Sequence, residues 1–201
     1  MILARRHVRT WNPQAAHFAV NLPVSVGGAA ITIFRGWAAV NASIDGVDFR
    51  FVNTHLETQV APPVQEAQAQ ELVALFGAET RPIALVGDFN SAANVFQTES
   101  YAMLTGAGFI DTWTARHRRD PGHTCCHAPD LRNAVASFDQ RLDIVFWRDR
   151  FSQRTGRIAG GVRVDVVGEE PSDRTRSGLW PSDHAGVVAT LRVPERELAR
   201  R

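Results

Sequence analysis

The sequence predicts a mixed α/β domain, of the α+β kind. Three observations lead there. An Asp45-Gly46 dipeptide sits between two runs rich in β-branched and aromatic residues. A helical stretch then leads into a short apolar run that stops at "GDFNS". After the glycines at 106 and 108, strand-like runs dominate. Strands that alternate with helices early and prevail later are the pattern of that class.

The elements follow in order. From Ala29, "AAITIFRGWAAVNASIDGVDFRFVNTHLE" reads as two extended runs around Asp45-Gly46. Asp-Gly between such runs is a strong hairpin signal. The second run, Val47 to Thr54, ends in the polar string Asn53-Thr54-His55. "APPVQEAQAQELVALFGAE" predicts a helix from Pro63 to Phe76, with proline suited to the first turn and Val64, Leu72, Leu75 and Phe76 as a partial apolar stripe. "RPIALVGDFNS" reads as a buried strand stopping at Gly87-Asp88. A second helix is expected from Thr98 to Leu104, ended by Gly106 and Gly108. Beyond an irregular middle lie three more strand candidates, "QRLDIVFWR", "GGVRVDVVG" and "AGVVATLRV".

Composition bounds the function. The chain has 201 residues, 44% of them hydrophobic and 21% charged, which is enough for one domain with a real core. With 22 basic against 21 acidic residues, the net charge of +1 is not that of a strongly basic nucleic-acid protein. All the basic residues are arginine. They gather at Arg116, Arg118 and Arg119, and at Arg148, Arg150, Arg154 and Arg157. A solvated surface is the plain reading of each cluster, and a phosphate-attracting rim the alternative. Adjacent cysteines seldom bridge each other, so Cys125 and Cys126 imply no disulfide framework. "HTCCH" hints at a soft-metal site, and so at a zinc module of an interaction protein, but its spacing matches no standard zinc pattern. No apolar run approaches transmembrane length, and "MILARRHVRTW" is not a signal peptide. Compartment is therefore open.

Chemistry collects at the ends of apolar runs: "FVNTHLE", "LVGDFNS", "QRLDIVF" and "WPSDHAGV". Sheet proteins gather reactive groups there, because loops carry them while the sheet fixes their spacing. Singly, each has an ordinary reading. Asp88 is a turn residue, His55 a satisfied histidine, and Asp143 a carboxylate paired with Arg141. Together they suit phosphoester hydrolysis, which needs charge neutralisation, a positioned water and a protonated leaving group. Asp88 and Asn90 are two apart, so in extended backbone both project to one side. Asp183 offers a hard oxygen for Mg²⁺ or Mn²⁺. His184 titrates near neutrality and can hold a phosphoryl oxygen or move a proton. Asp183 and His184 share a site only if the backbone bends, which Pro181 favours.

"NTHLE", "GDFNS", "RLDIV" and "SDHAGV" resemble, in order, the motifs of the endonuclease/exonuclease/phosphatase superfamily of metal-dependent phosphoesterases. The motif-bearing region is 29–193 of a single domain spanning 1–201. The resemblance implies a four-layer sandwich of two packed mixed β-sheets flanked by helices. It implies that Asp143 fixes the tautomer of His184, that His55 donates to the phosphate, and that Asp88 and Asn90 handle water and phosphate. Asp183 would bind the Mg²⁺ or Mn²⁺, with Asp88 a further candidate ligand. The substrate would be a phosphoester, either nucleic acid, a phospholipid headgroup or an inositol phosphate.

The family's earlier motifs, a strand-end asparagine and a Gln-Glu pair whose glutamate binds metal, have no match before His55. Gln65-Glu66 and Gln70-Glu71 fall on the predicted helix and read as surface residues. "MILAR" reads as an internal strand, so the chain reads as the N-terminally incomplete, C-terminal portion of such a domain. Two expectations follow. One is a catalytically impaired remnant that binds a phosphorylated ligand or partner chain. The other is self-association through uncovered sheet surface. Trp113, Trp147 and Trp180 read as packing residues rather than base-stacking platforms, and Arg35-Gly36-Trp37 as structural.

Overall fold

The computed structural model describes residues 1–93 and 96–192. The chain enters through β1 (Arg9–His17), then makes a separate hairpin of β2 (Leu22–Val26) and β3 (Ala29–Ile33). β4 (Gly36–Ile44) and β5 (Val47–His55) form the hairpin predicted from sequence. Its turn residues Asp45 and Gly46 both have positive φ, +51° and +81°, as a two-residue turn between twisted strands demands. There follow α1 (Pro62–Gly77), β6 (Ile83–Asp88), α2 (Ser100–Gly106), β7 (Ile110–Asp111) and α3 (Thr112–Arg116). The described chain ends with β8 (Asp143–Arg148), α4 (Arg150–Thr155), β9 (Val162–Val167) and β10 (Gly186–Leu191).

Six strands make one mixed sheet in the order β1-β4-β5-β6-β8-β7. Only β5 and β6 run parallel within it, and α1 supplies the crossover a parallel pair requires. Residues Gln65, Gln68, Ala69, Leu72 and Phe76 are spaced to bury one face of α1. The apolar members of that set pack with Val52, Ile83, Leu85, Ile144 and Phe146 of the sheet and with Phe89 and Leu104 to form the core. The second sheet is the antiparallel pair β9 and β10, with β10 against β8 and α3 against β9. The predicted α/β class holds, with a six-stranded mixed sheet and a two-stranded companion. The opposite face of β5, carrying Phe49 and Phe51, stays half-exposed.

Several elements depart from the sequence reading. The first extended run breaks at Phe34 and Arg35: β3 pairs with β2, and only β4 joins the main sheet. Residues 1–5 are not a strand, and β1 begins at Arg9. α2 starts at Ser100, because the Thr98 hydroxyl is engaged by Gln65 and Ser91 instead. β7, α3 and α4 span 2, 5 and 6 residues, too few for any periodicity to register. The last strand candidate ends at Leu191, and its predicted end, Val193, lies outside the described residues.

Arg141 pairs not with Asp143 but with Asp111, at 2.5 Å and buried. Asp111 also caps α3 and accepts from the Tyr101 hydroxyl. Burial and that carboxylate push the Tyr101 phenol up to about 12. Arg148 is buried rather than solvated, donating to the Phe76 carbonyl and lying over the Phe109 ring. Trp113, Trp147 and Trp180 are all buried, as packing residues should be. Among the described residues, no helix is long and apolar enough to cross a membrane.

Candidate active site

The sheet register builds the site. β5 and β6 run parallel and β8 runs antiparallel to them, so two strand ends and one strand start share an edge. His55 is paired with Asp88, and Asp88 with Asp143, in a row across three strands. Residues separated by dozens of positions in sequence thus become lateral neighbours. His184 closes the row: its Nδ1 donates to Asp143 Oδ2 at 2.7 Å. Asp88, Asp143 and His184 offer ligand atoms that all lie within 4.8 Å of one another.

Local structure sets each side chain. Gly87 has φ of +147°, and a Cβ there would stand 2.0 Å from the Thr54 carbonyl oxygen, so glycine lets β6 approach β5 just before Asp88. The sequence argument for Asp88 and Asn90 fails in its route. β6 ends at Asp88, and Asn90 adopts a left-handed backbone with φ of +48°. The two come together because the Asn90 N–H donates to Asp88 Oδ1 at 2.8 Å. Asn90 Nδ2 donates to the Leu56 carbonyl at 3.1 Å. Beneath them lies Gln65, fully buried and not a surface residue as its position on the helix suggested. Its Nε2 donates to the Glu57 and Asn90 carbonyls, and its Oε1 accepts from Thr98 and Ser100. Gln65 therefore ties α1 to both loops of the site.

Asp183 stands apart. It is exposed next to His184, its backbone carbonyl accepting from the His127 N–H, and it falls outside the close trio. The chain does bend there: residues 181–183 are irregular and β10 begins only at Gly186.

Electrostatics follow from this crowding. Burial raises the Asp88 carboxyl above its ordinary value and the Asp143 charge adds to it, while His55, the Asn90 N–H and His184 oppose. The hydrogen bond to Asp143 raises His184, against burial, and the charges of Asp143, Asp88 and Asp183 reinforce it. Two carboxylates this close favour either a shared proton or a cation. The donor set, two hard carboxylate oxygens, suits Mg²⁺ or Mn²⁺.

Arg35, read from sequence as structural, and Glu57, not singled out there, both lie at the site. Arg35 Nη1 donates to His55 Nε2 at 3.0 Å, and its Nη2 lies 3.4 Å from Glu57 Oε1. His55 Nδ1 donates to the Leu56 carbonyl at 2.7 Å, which leaves Nε2 as the acceptor. In this arrangement His55 Nε2 faces both the Arg35 guanidinium and Asp88 Oδ2, the latter at 3.6 Å. Glu57 is buried, and among the described residues its Oε2 and the Arg35 Nε have no hydrogen-bond partner. Arg35 sits at the strand break rather than inside a strand. A groove of about 480 Å³ beside it is lined by His17, Phe34, Arg35, Trp37, Asn53 and His55 among others.

The "HTCCH" histidines turn elsewhere. His123 Nδ1 bonds to the Phe138 carbonyl, and His127 stacks on Trp180 with its Nδ1 bonded to Asn133. The sulfurs of Cys125 and Cys126 do lie within bonding reach, contrary to the expectation for adjacent cysteines, with the peptide between them cis and the Cα atoms 3.0 Å apart. Cys125 forms isolated bridges to Gln140 and to His184, which places the pair at the rim of the site.

No family model and no curated sequence matches the chain. Solved structures do match the fold. Truncated TDP2 from Caenorhabditis elegans superposes with a TM-score of 0.60 and 21% identity, covering 92% of this chain and 67% of that one. D. rerio TDP2 complexed with single-strand DNA product gives 0.61 and 16%, covering 92% and 69%. An endonuclease/exonuclease/phosphatase family protein from Leptotrichia buccalis C-1013-b gives 0.61 and 16%, covering 92% and 62%. The chain has the fold of these endonuclease/exonuclease/phosphatase proteins and spans roughly two thirds of the length of each.

Proposed function

We propose that this chain is a divalent-metal-dependent phosphoester hydrolase, and that its substrate is a phosphodiester of nucleic acid. The observation that carries the reading is the row His55, Asp88 and Asp143, closed by His184 on Asp143. The single-strand DNA product bound to the D. rerio neighbour favours nucleic acid over a lipid headgroup or inositol phosphate.

The residues divide the work. Asp88 accepts the proton of the attacking water. Asn90 is pinned by its backbone N–H to Asp88 and by one Nδ2 proton to the Leu56 carbonyl, and its second Nδ2 proton is the one that would serve a phosphate oxygen. Asp143 accepts the Nδ1–H of His184, so Nε2 is the nitrogen left to act on a phosphoryl oxygen, as the donor when the ring is protonated. Arg35, braced by Glu57, brings positive charge to the His55 end of the row. Asp88 and Asp143, with Asp183 at the rim, would hold Mg²⁺ or Mn²⁺, which when bound neutralises phosphate charge.

A second reading has one observation behind it. Among the described residues the close trio contains no glutamate, and Glu57 engages Arg35 through Oε1. Mg²⁺ is held weakly by so few carboxylates, and such a chain would bind a phosphorylated ligand or a partner chain without turning over. One assay separates the two. Mg²⁺-stimulated hydrolysis of a single-stranded oligonucleotide, lost by about 10²-fold or more in Asp88→Ala and in His184→Ala, supports the hydrolase. Equal activity in the variants and the parent removes it. Oligonucleotide binding without turnover under any divalent ion establishes the second reading.

A further inference from the structure

The residues on either side of His184 are fastened to one distant stretch of chain. The Asp183 carbonyl accepts from the His127 N–H at 2.8 Å, and the Ala185 N–H donates to the Thr124 carbonyl at 2.8 Å. Between the buried Trp180 and the buried Ala185, the bend at Pro181, Ser182 and Asp183 is exposed and belongs to no helix or strand. A second set of contacts holds its near end. The Trp180 N–H donates to the Leu131 carbonyl at 3.0 Å, and the indole Nε1 donates to the Asn133 carbonyl at 2.8 Å. The buried His127 ring stacks on the indole, with centroids 4.0 Å apart and planes at 15°, and Phe138 packs against it at 4.4 Å. Asn133 ties the loop together: its Oδ1 accepts from the Ala128 N–H, and its Nδ2 donates to His127 Nδ1 and to the Val135 carbonyl.

We propose that His127, Asn133 and Trp180 are positioning residues for His184, a clamp that fixes the Pro181–Asp183 bend and with it the heading of the imidazole. The bond from Nδ1 to Asp143 fixes one point of the ring, and Nε2 keeps a single direction only if the backbone behind it is fixed as well. The exposed bend lacks the burial to do this by itself, so the clamp does it. Stacking on a rigid indole restricts the His127 side chain, and the same residue's backbone is the donor to Asp183. With its ring buried and its Nδ1 taken by Asn133, His127 serves as a surface to pack on and not as an acid or base. Leu131 shows the constraint. Its φ is +57°, a conformation branched side chains seldom adopt, at the residue whose carbonyl receives the Trp180 N–H. Strain of that kind persists only where the surroundings over-determine it. The holding of His184 does not depend on the hydrolase reading; its effect on turnover rests on it.

The imidazole proton shared with Asp143 is the probe, because an N–H bonded to a carboxylate gives a low-field proton resonance independently of any activity. The full chain carries ¹⁵N-labelled histidine, and the resonance is assigned to His184 by its absence in His184→Gln. His127→Leu fills the space without a flat ring, and in the folded variant the signal should broaden or vanish as the proton exchanges with water. His127→Phe keeps the stack, and Asn133 Nδ2 keeps the Val135 carbonyl, so the signal should return. A signal in His127→Leu as sharp as the parent's overturns the clamp. So does its loss in His127→Phe to the same extent as in His127→Leu, or its absence from the parent. Should His127→Leu fail to fold, Asn133→Ala in the half-buried loop carries the test: proton exchange faster than the parent's supports the clamp, and unchanged exchange overturns it. In a separate arm on Mg²⁺-supported hydrolysis, kcat should fall about 10- to 100-fold in His127→Leu, with KM within about twofold of the parent, and recover in His127→Phe. A loss confined to KM overturns the positioning of His184 for turnover. If the parent shows no hydrolysis at all, the hydrolase reading fails while the proton resonance still decides the clamp.

Discussion

His184 spends its two nitrogens differently, one on Asp143 at 2.7 Å and one toward Cys126 at 3.7 Å. The Asp143 bond makes the folded chain hold the imidazole proton more tightly than the unfolded chain does. The stabilisation this gives is fully present below the unfolded histidine value, about 6.5, and is lost as pH rises through the higher folded value. With chelator present, the melting-temperature gap between the parent and His184→Gln should narrow as pH climbs from roughly 5.5 to 9. A gap that stays constant across that range would show that the pair does not titrate as described. At this scale the sequence was legible where candidate residues sit in short recognisable strings, as His55, Asp88, Asn90, Asp143 and His184 do. Arg35 and Glu57 were not legible, because their roles arise only when β4 and β5 fold back on each other. Gln65 was misread for a related reason. Polarity on a helix suggests solvent, and only the neighbouring loops reveal four partners for its amide.

The β5–β6 pair is the element on which the site depends. Parallel pairing through α1 sets His55 opposite Asp88, and Gly87 allows the strands to meet there. A Cβ at Gly87 would run into the Thr54 carbonyl in a backbone conformation that side chains rarely adopt. Gly87→Ala should therefore cost about 2 kcal/mol or more of stability in urea denaturation. A change within about 0.5 kcal/mol, the range of an ordinary surface substitution, would mean the close approach is not needed. The hairpin at Asp45-Gly46 and the helix after Pro62 were readable because turn chemistry and apolar spacing are local signals. β1, β2 and the short β7, α3 and α4 were not. Mostly exposed strands lack alternation, and their existence depends on partners elsewhere in the chain.

The whole molecule has one well-covered sheet face and one half-covered face. α1 and α2 bury the first, while Phe49 and Phe51 on the second remain partly exposed. The β2–β3 hairpin and the residue after it add exposed Val26, Ile31, Ile33 and Phe34. Apolar surface of this kind drives association between copies. Sedimentation velocity should show the average mass rising with protein concentration, and a monomer at every concentration would contradict this. The overall architecture was readable from the order of four motifs, but the size of the second sheet was not, since nothing local in β9 or β10 states how many strands accompany them. The central claim is convergence: Asp88 and His184, brought together through Asp143, act on one phosphate as a unit. A double-mutant cycle on Mg²⁺-supported oligonucleotide hydrolysis tests it most directly. Asp88→Asn and His184→Gln should each remove most of the activity, and the double variant should fall little below the worse single one, because groups acting as a unit are strongly non-additive. Losses that multiply independently, or variants as active as the parent, would contradict the account.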